Sequence, residues 1–102
     1  MAKTRSYKAH LLKQLQNPKE AAAYLNAALQ DDDPHVFLLA LRDIAESKGG
    51  MGWLADEADL NRENLYRTLS LSGNPRFFNL LAVLDAVGLE LSIHARAKQV
   101  RA

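Results

Sequence analysis

Residues 61–67 read Asn-Arg-Glu-Asn-Leu-Tyr-Arg, a run rich in side chains that read or grip nucleic acid. Arg62 and Arg67 carry guanidinium groups that donate in pairs to a guanine edge or hold a phosphate. Asn61 stands where it can cap a helix, contact a base, or do both. Glu63 can accept from cytosine, although an acid in a first helical turn also simply suits the helix dipole. Tyr66 offers a ring for a thymine methyl and a hydroxyl for a phosphate. Asn64 falls within the same run. Asn74 and Arg76, beside the next helix start, can add phosphate contacts. For every one of these residues the plainer alternative is a solvated helix face.

Such groups read a duplex only if the chain holds them on one protruding helix. Two helical patterns meet at Asp59-Leu60 with almost nothing between them: Met51–Ala58, then a helix capped by Asn61 and running to about Leu69. A turn that tight forces a steep crossing, the geometry of a helix-turn-helix over residues 51–69. Ala55 stands where the two helices need a small residue. Leu54, Ala58, Leu60, Leu65 and Leu69 supply the apolar lock onto the rest of the domain. Trp53 is expected to pack in the core or a dimer contact rather than stack on a base.

The remaining elements follow from spacing and punctuation. Tyr7, Leu11, Leu12 and Leu15 recur at helical intervals, predicting a short first helix near 6–16. Asn17-Pro18-Lys19-Glu20 combines a cap, a first-position proline and a capping-box carboxylate, so a second helix runs on through Gln30 with Ala22, Leu25 and Leu29 on one stripe. Asp31-Asp32-Asp33 breaks it. Asp33-Pro34 opens a third helix to Lys48, buried through Val36, Leu38, Leu39, Ala40 and Ile44, and Gly49-Gly50 ends it. After a loop at 70–74, Pro75 is expected to open a helix to Val87 with Phe77, Leu80, Leu81, Leu84 and Val87 inward. Leu89–His94 alternates apolar and polar residues, predicting a short C-terminal strand. A lone strand leaves unpaired backbone groups, so its partner would be a second copy or another protein.

At 102 residues with 48% hydrophobic side chains, the chain has room for one domain with a modest core, burying roughly 60–70% of its unfolded surface. The expected class is all-α: a flexible basic terminus at 1–6, a single helical domain at 7–95 and a basic tail at 96–102. No apolar run approaches a membrane span and no signal-peptide pattern opens the chain. Cysteine is absent, which removes disulfides and thiolate metal sites and fits a cytoplasmic protein. The net charge is only +1, but its parts are segregated. Lys3, Arg5, Lys8, Lys13 and Lys19 precede any acid. Glu20, Asp31, Asp32, Asp33, Asp43 and Glu46 then face Arg42 alone, and the tail adds Arg96, Lys98 and Arg101.

The stretches Trp53-Leu54-Ala55, Leu60–Arg67, Gly73-Asn74-Pro75-Arg76-Phe77 and Leu84–Leu89, with Pro18–Leu29 upstream, resemble the addiction-module antidote proteins. These are Xre-type, lambda-repressor-like antitoxins akin to HigA. The resemblance covers about residues 7–95, and the Gly-Asn-Pro-Arg-Phe run is its most specific piece. It implies a lambda-repressor-like fold of five or six helices, usually dimeric and cytoplasmic. It also implies a protein that neutralises a RelE/ParE-superfamily toxin and represses the operon encoding both by binding operator DNA. Two positions depart from the family pattern. Asp59 occupies the turn where such motifs prefer glycine, and Thr68 replaces a larger apolar residue.

Other classes find little support. His10, His35 and His94 are scattered, with no spacing for a catalytic triad or a metal pair. Asp31-Asp32-Asp33 lacks the ligand spacing and turn glycine of a calcium loop. No enzyme activity, cofactor or metal is expected. The rival readings are a stand-alone phage-type Xre regulator and an interaction module whose helix-turn-helix no longer binds DNA.

Overall fold

The computed structural model describes residues 2–97, with side chains from residue 6 onward. Six helices account for all the regular structure among the described residues: α1 Ala2–Gln14, α2 Pro18–Leu29, α3 His35–Lys48, α4 Met51–Ala58, α5 Arg62–Thr68 and α6 Phe77–Ala86. Among the described residues the regular structure is all helical, and the expected strand at 89–94 is absent. Residues 89–96 have no regular structure, and no other described segment offers them a backbone ladder. The apolar residues of the alternation do not share one environment, and Leu91 is itself 42% exposed. Leu89 packs on the core and Leu91 lines a groove against α2, while Ile93 stands 90% exposed. Of the basic tail, Lys98 and Arg101 lie outside the described residues.

Local chemistry explains most boundaries. Asn17 accepts from the Lys19 and Glu20 amides at 2.8 and 3.3 Å, capping α2 with Pro18 just inside. The reciprocal capping-box contact is not made: Glu20 takes the Gln14 amide at 3.0 Å, and the Asn17 N–H goes to the Gln14 carbonyl. At α3 the Asp33 carboxylate accepts from the His35 amide at 2.9 Å. Helix α1 begins at Ala2, earlier than its apolar spacing implies. Helix α6 begins at Phe77 rather than Pro75, with Arg76 in extended conformation at its cap.

The core gathers around α3 and α4. Helix α3 packs on α1, α2 and α4, and α4 packs in turn on α5 and α6. Leu15, Leu41, Ile44, Leu54, Leu69 and Val83 are the large side chains fully sealed from water. The buried face of α3 is rotated from the expected one. Phe37, Leu38, Ala40, Leu41, Ile44 and Ala45 are buried, whereas Val36 and Leu39 are half-exposed. Phe77, expected inward, is 57% exposed, and Leu29 and Tyr7, from the apolar patterns of α2 and α1, are 51% and 71% exposed.

Candidate functional site

Helices α4 and α5 are joined by Asp59, Leu60 and Asn61 alone. Asp59 makes this turn possible by adopting the left-handed conformation, φ 56° and ψ 50°, as the one non-glycine with positive φ among the described residues. An L-residue pays sterically for that geometry, and aspartate tolerates it better than most. The Leu60 amide then donates back to the Ala55 carbonyl at 2.9 Å, closing α4 with a six-residue loop. Leu54, Ala55, Leu65 and Leu69 are buried, and Ala58 and Leu60 half-buried, so the expected apolar lock is made. Trp53 packs against the core beside Gly49.

Anchoring Leu65 and Leu69 inward turns the rest of α5 outward. Asn61, Arg62, Glu63, Asn64, Tyr66 and Arg67 are all exposed, so the structure brings six of the seven candidate residues onto one short helix and its cap. Each is held differently. Asn61 accepts from the Asn64 amide at 2.9 Å; its side-chain oxygen is committed to the cap, leaving its amide N–H groups to face outward. The Arg67 guanidinium donates to Asn64 Oδ1 at 3.3 Å. Arg62 lies over the bare backbone of Gly52 in α4, where a Cβ would sit 3.4 Å from its Cζ. Among the described residues none of Arg62, Arg67 and Arg76 forms an ion pair. Arg76 is exposed at the start of α6, beyond the 70–75 loop, and does not stand on α5.

One participant has no local signature in the chain. Arg42, from α3, places its Cζ 5.5 Å from the centre of the Tyr66 ring, and Arg62 places its own 6.0 Å from the same centre. Two guanidiniums therefore flank one ring in cation–π geometry. Arg42 also donates to the Leu69 carbonyl at 3.3 Å, at the C-terminal end of α5. There a cation satisfies a free carbonyl and complements the helix dipole. The sequence signal that could have found Arg42 is its isolation, one cation among the acids of residues 20–46.

The loop from α5 to α6 is set by a close approach. A Cβ on Gly73 would lie 1.8 Å from the Thr68 carbonyl oxygen, so the chain folds back against α5 only where a side chain is missing. Acids share the surface: Asp56, Glu57 and Asp59 are exposed close by in sequence. No cluster of three or more metal-ligating side chains occurs among the described residues, and no helix there is long and apolar enough to cross a membrane.

Comparison with known proteins extends this picture. The chain is 38% identical over 79 residues to an uncharacterized protein of Haemophilus influenzae, across 78% of this chain and 80% of that one. No solved structure matches it. The family model described as "probable addiction module antidote protein" matches residues 5–95, from within α1 through the extended segment after α6. The match takes in the α4–α5 turn, the Gly73–Phe77 loop and every candidate residue, and the chain belongs to the family of probable addiction module antidote proteins.

Proposed function

We propose that this protein is a DNA-binding antitoxin of a type II toxin–antitoxin module. It neutralises a RelE/ParE-superfamily toxin by direct binding, and as a cytoplasmic homodimer of the HigA-like, Xre type it represses its own operon. The antidote family implies a cognate toxin and suggests a non-enzymatic, regulatory protein. The observation that supports the DNA half is the outward face of α5. Arg62, Tyr66 and Arg67 are exposed on that helix, with Asn61, Glu63 and Asn64 alongside and no acid paired to either arginine among the described residues. In a lambda-repressor-like arrangement that face enters the major groove, and Arg76 approaches a phosphate.

The test is a salt-titrated binding assay on DNA from the protein's own promoter. Arg62→Ala and Arg67→Ala should each weaken site-specific binding by about 1–3 kcal/mol if they reach base edges. Promoter DNA bound no better than unrelated DNA, and equally by both variants, rejects the repressor reading. A second reading is favoured by the exposed Asp56 and Glu57 on α4 and Glu63 on α5, which lower the positive potential of the same surface. On that reading the two-helix unit is a protein-interaction module and only the toxin is bound. A stand-alone regulator would bind the promoter and have no toxin encoded beside it.

A further inference from the structure

The acids of the segment from Glu20 to Glu46 are not equivalent once folded. Glu46 pairs with Lys8 at 3.4 Å, and Asp33 takes both the backbone amide and the ring nitrogen of His35 at 2.9 Å. Asp31 and Asp43 have no cation within ion-pair distance among the described residues, and both line one groove of about 640 Å³ between α2 and α3. The floor of that groove is Ala27, Ala28, Leu39 and their small or apolar neighbours, and no basic side chain lines it. Asp43 is half-buried there, and one of its oxygens accepts from the Tyr24 hydroxyl at 2.6 Å. That bond fixes the carboxylate but brings no positive charge. A partly desolvated carboxylate answered by a neutral donor gains most from an incoming cation.

We propose that the α2–α3 groove is the docking surface for a basic, amphipathic segment of the cognate toxin. Apolar side chains of that segment would cover Ala27, Ala28 and Leu39, and its lysines or arginines would meet Asp31 and Asp43. The inference rests on the antitoxin reading above and names the surface that carries it. Charge complementarity selects the occupant. Among the described residues Asp31 accepts only from the Asp33 amide at 2.9 Å and Asp43 only from Tyr24. An apolar floor edged by two carboxylates without a paired cation therefore repels an acidic helix and rewards a basic one. Small floor residues let a helix approach closely. The groove is lined by residues of α2, α3 and the turn between them, and it shares no residue with the candidate DNA face on α5.

The test uses the purified product of the toxin gene adjacent to this one, titrated against the wild-type protein and three variants. Asp43→Asn keeps an oxygen for the Tyr24 hydroxyl and removes only charge. The Asp31→Asn, Asp43→Asn double variant should bind about tenfold or more weaker at low salt, and the gap should narrow as salt rises. Asp33→Asn, altered outside the groove, should bind like wild type. Thermal unfolding of each variant alone confirms that the fold is kept. Equal affinity of wild type and double variant overturns this inference and leaves the antitoxin reading standing. A wild-type protein that ignores the toxin overturns both. Loss of self-association in Asp43→Asn, with toxin binding intact, would assign the groove to a second copy and overturn the inference.

Discussion

Asp59 and Gly73 show how much of the candidate site depends on backbone geometry. Asp59 holds φ 56°, and the crossing of α4 and α5 depends on it. Asp59→Val, β-branched and poorly tolerated in that region, should lower the unfolding free energy by about 1–2 kcal/mol in urea titrations. Asp59→Gly removes the steric cost and should leave stability unchanged or slightly raised. Equal destabilisation by both would show that the aspartate side chain, not the conformation, matters. Gly73 acts through space: its missing Cβ is what admits the Thr68 carbonyl. Gly73→Ala must push the loop away, at about 1–3 kcal/mol, and a melting temperature equal to wild type would contradict the close approach. The Gly73-Asn74-Pro75-Arg76-Phe77 run thus begins with a glycine required by contact, a reason invisible until α5 and the loop are seen together.

At the scale of elements, what could be read from the chain was whatever has local causes. Asn17 with Pro18, the Asp33 start, the two glycines after Lys48 and the Asn61 cap place four helices closely, because each signal acts within a few residues. The misjudged features depend on tertiary partners. The buried face of α3 includes Phe37 and Leu41 because three neighbouring helices surround it, so a single stripe underestimates it. The alternation at 89–94 has the period of a strand, but a ladder needs a second backbone and the described residues provide none. Arg42 carries no local motif because its partners, Tyr66 on α5 and Leu69 at that helix's C-terminal cap, lie far along the chain. Of the candidate residues, the six on and before α5 are all exposed on that short helix and its cap, while Arg76 sits apart at α6.

The α2–α3 pair carries its own pH signature. Burial first, then the hydrogen bond to Asp43 and that residue's charge, push the Tyr24 hydroxyl well above the ordinary tyrosine range. A raised folded-state value favours the protonated hydroxyl, so its stabilisation is complete below the unfolded tyrosine value, about 10. It is lost as pH climbs past that point. Wild-type stability should therefore fall on the alkaline side of about pH 10 more steeply than that of Tyr24→Phe, compared by thermal melts. Parallel curves would deny the link. Asp33 carries the opposite sign: the His35 amide and ring hold its carboxyl below the usual range, so that contribution fades only in acid.

For the whole molecule, charge and size limit what one copy can do on DNA. A net charge of +1 supplies little long-range attraction. Helix α5 has 7 residues, a length of about 10 Å, enough to reach only a few base steps. One such module would bind weakly, and the proposed homodimer resolves this by presenting two α5 faces related by a two-fold axis. Their centres must then match two half-sites one turn apart, about 34–36 Å. Binding to promoter DNA should rise with the square of free protein where the dimer is dissociated. It should collapse when about five base pairs, half a helical turn, are inserted between inverted half-sites, because the second face then meets the wrong side of the duplex. Insertion of a full turn should restore part of the affinity if a longer two-fold span can be bridged. Footprints that persist unchanged through the half-turn insertion would mean that each chain reads DNA alone, and the charge balance would then have to be overcome by contacts outside α5.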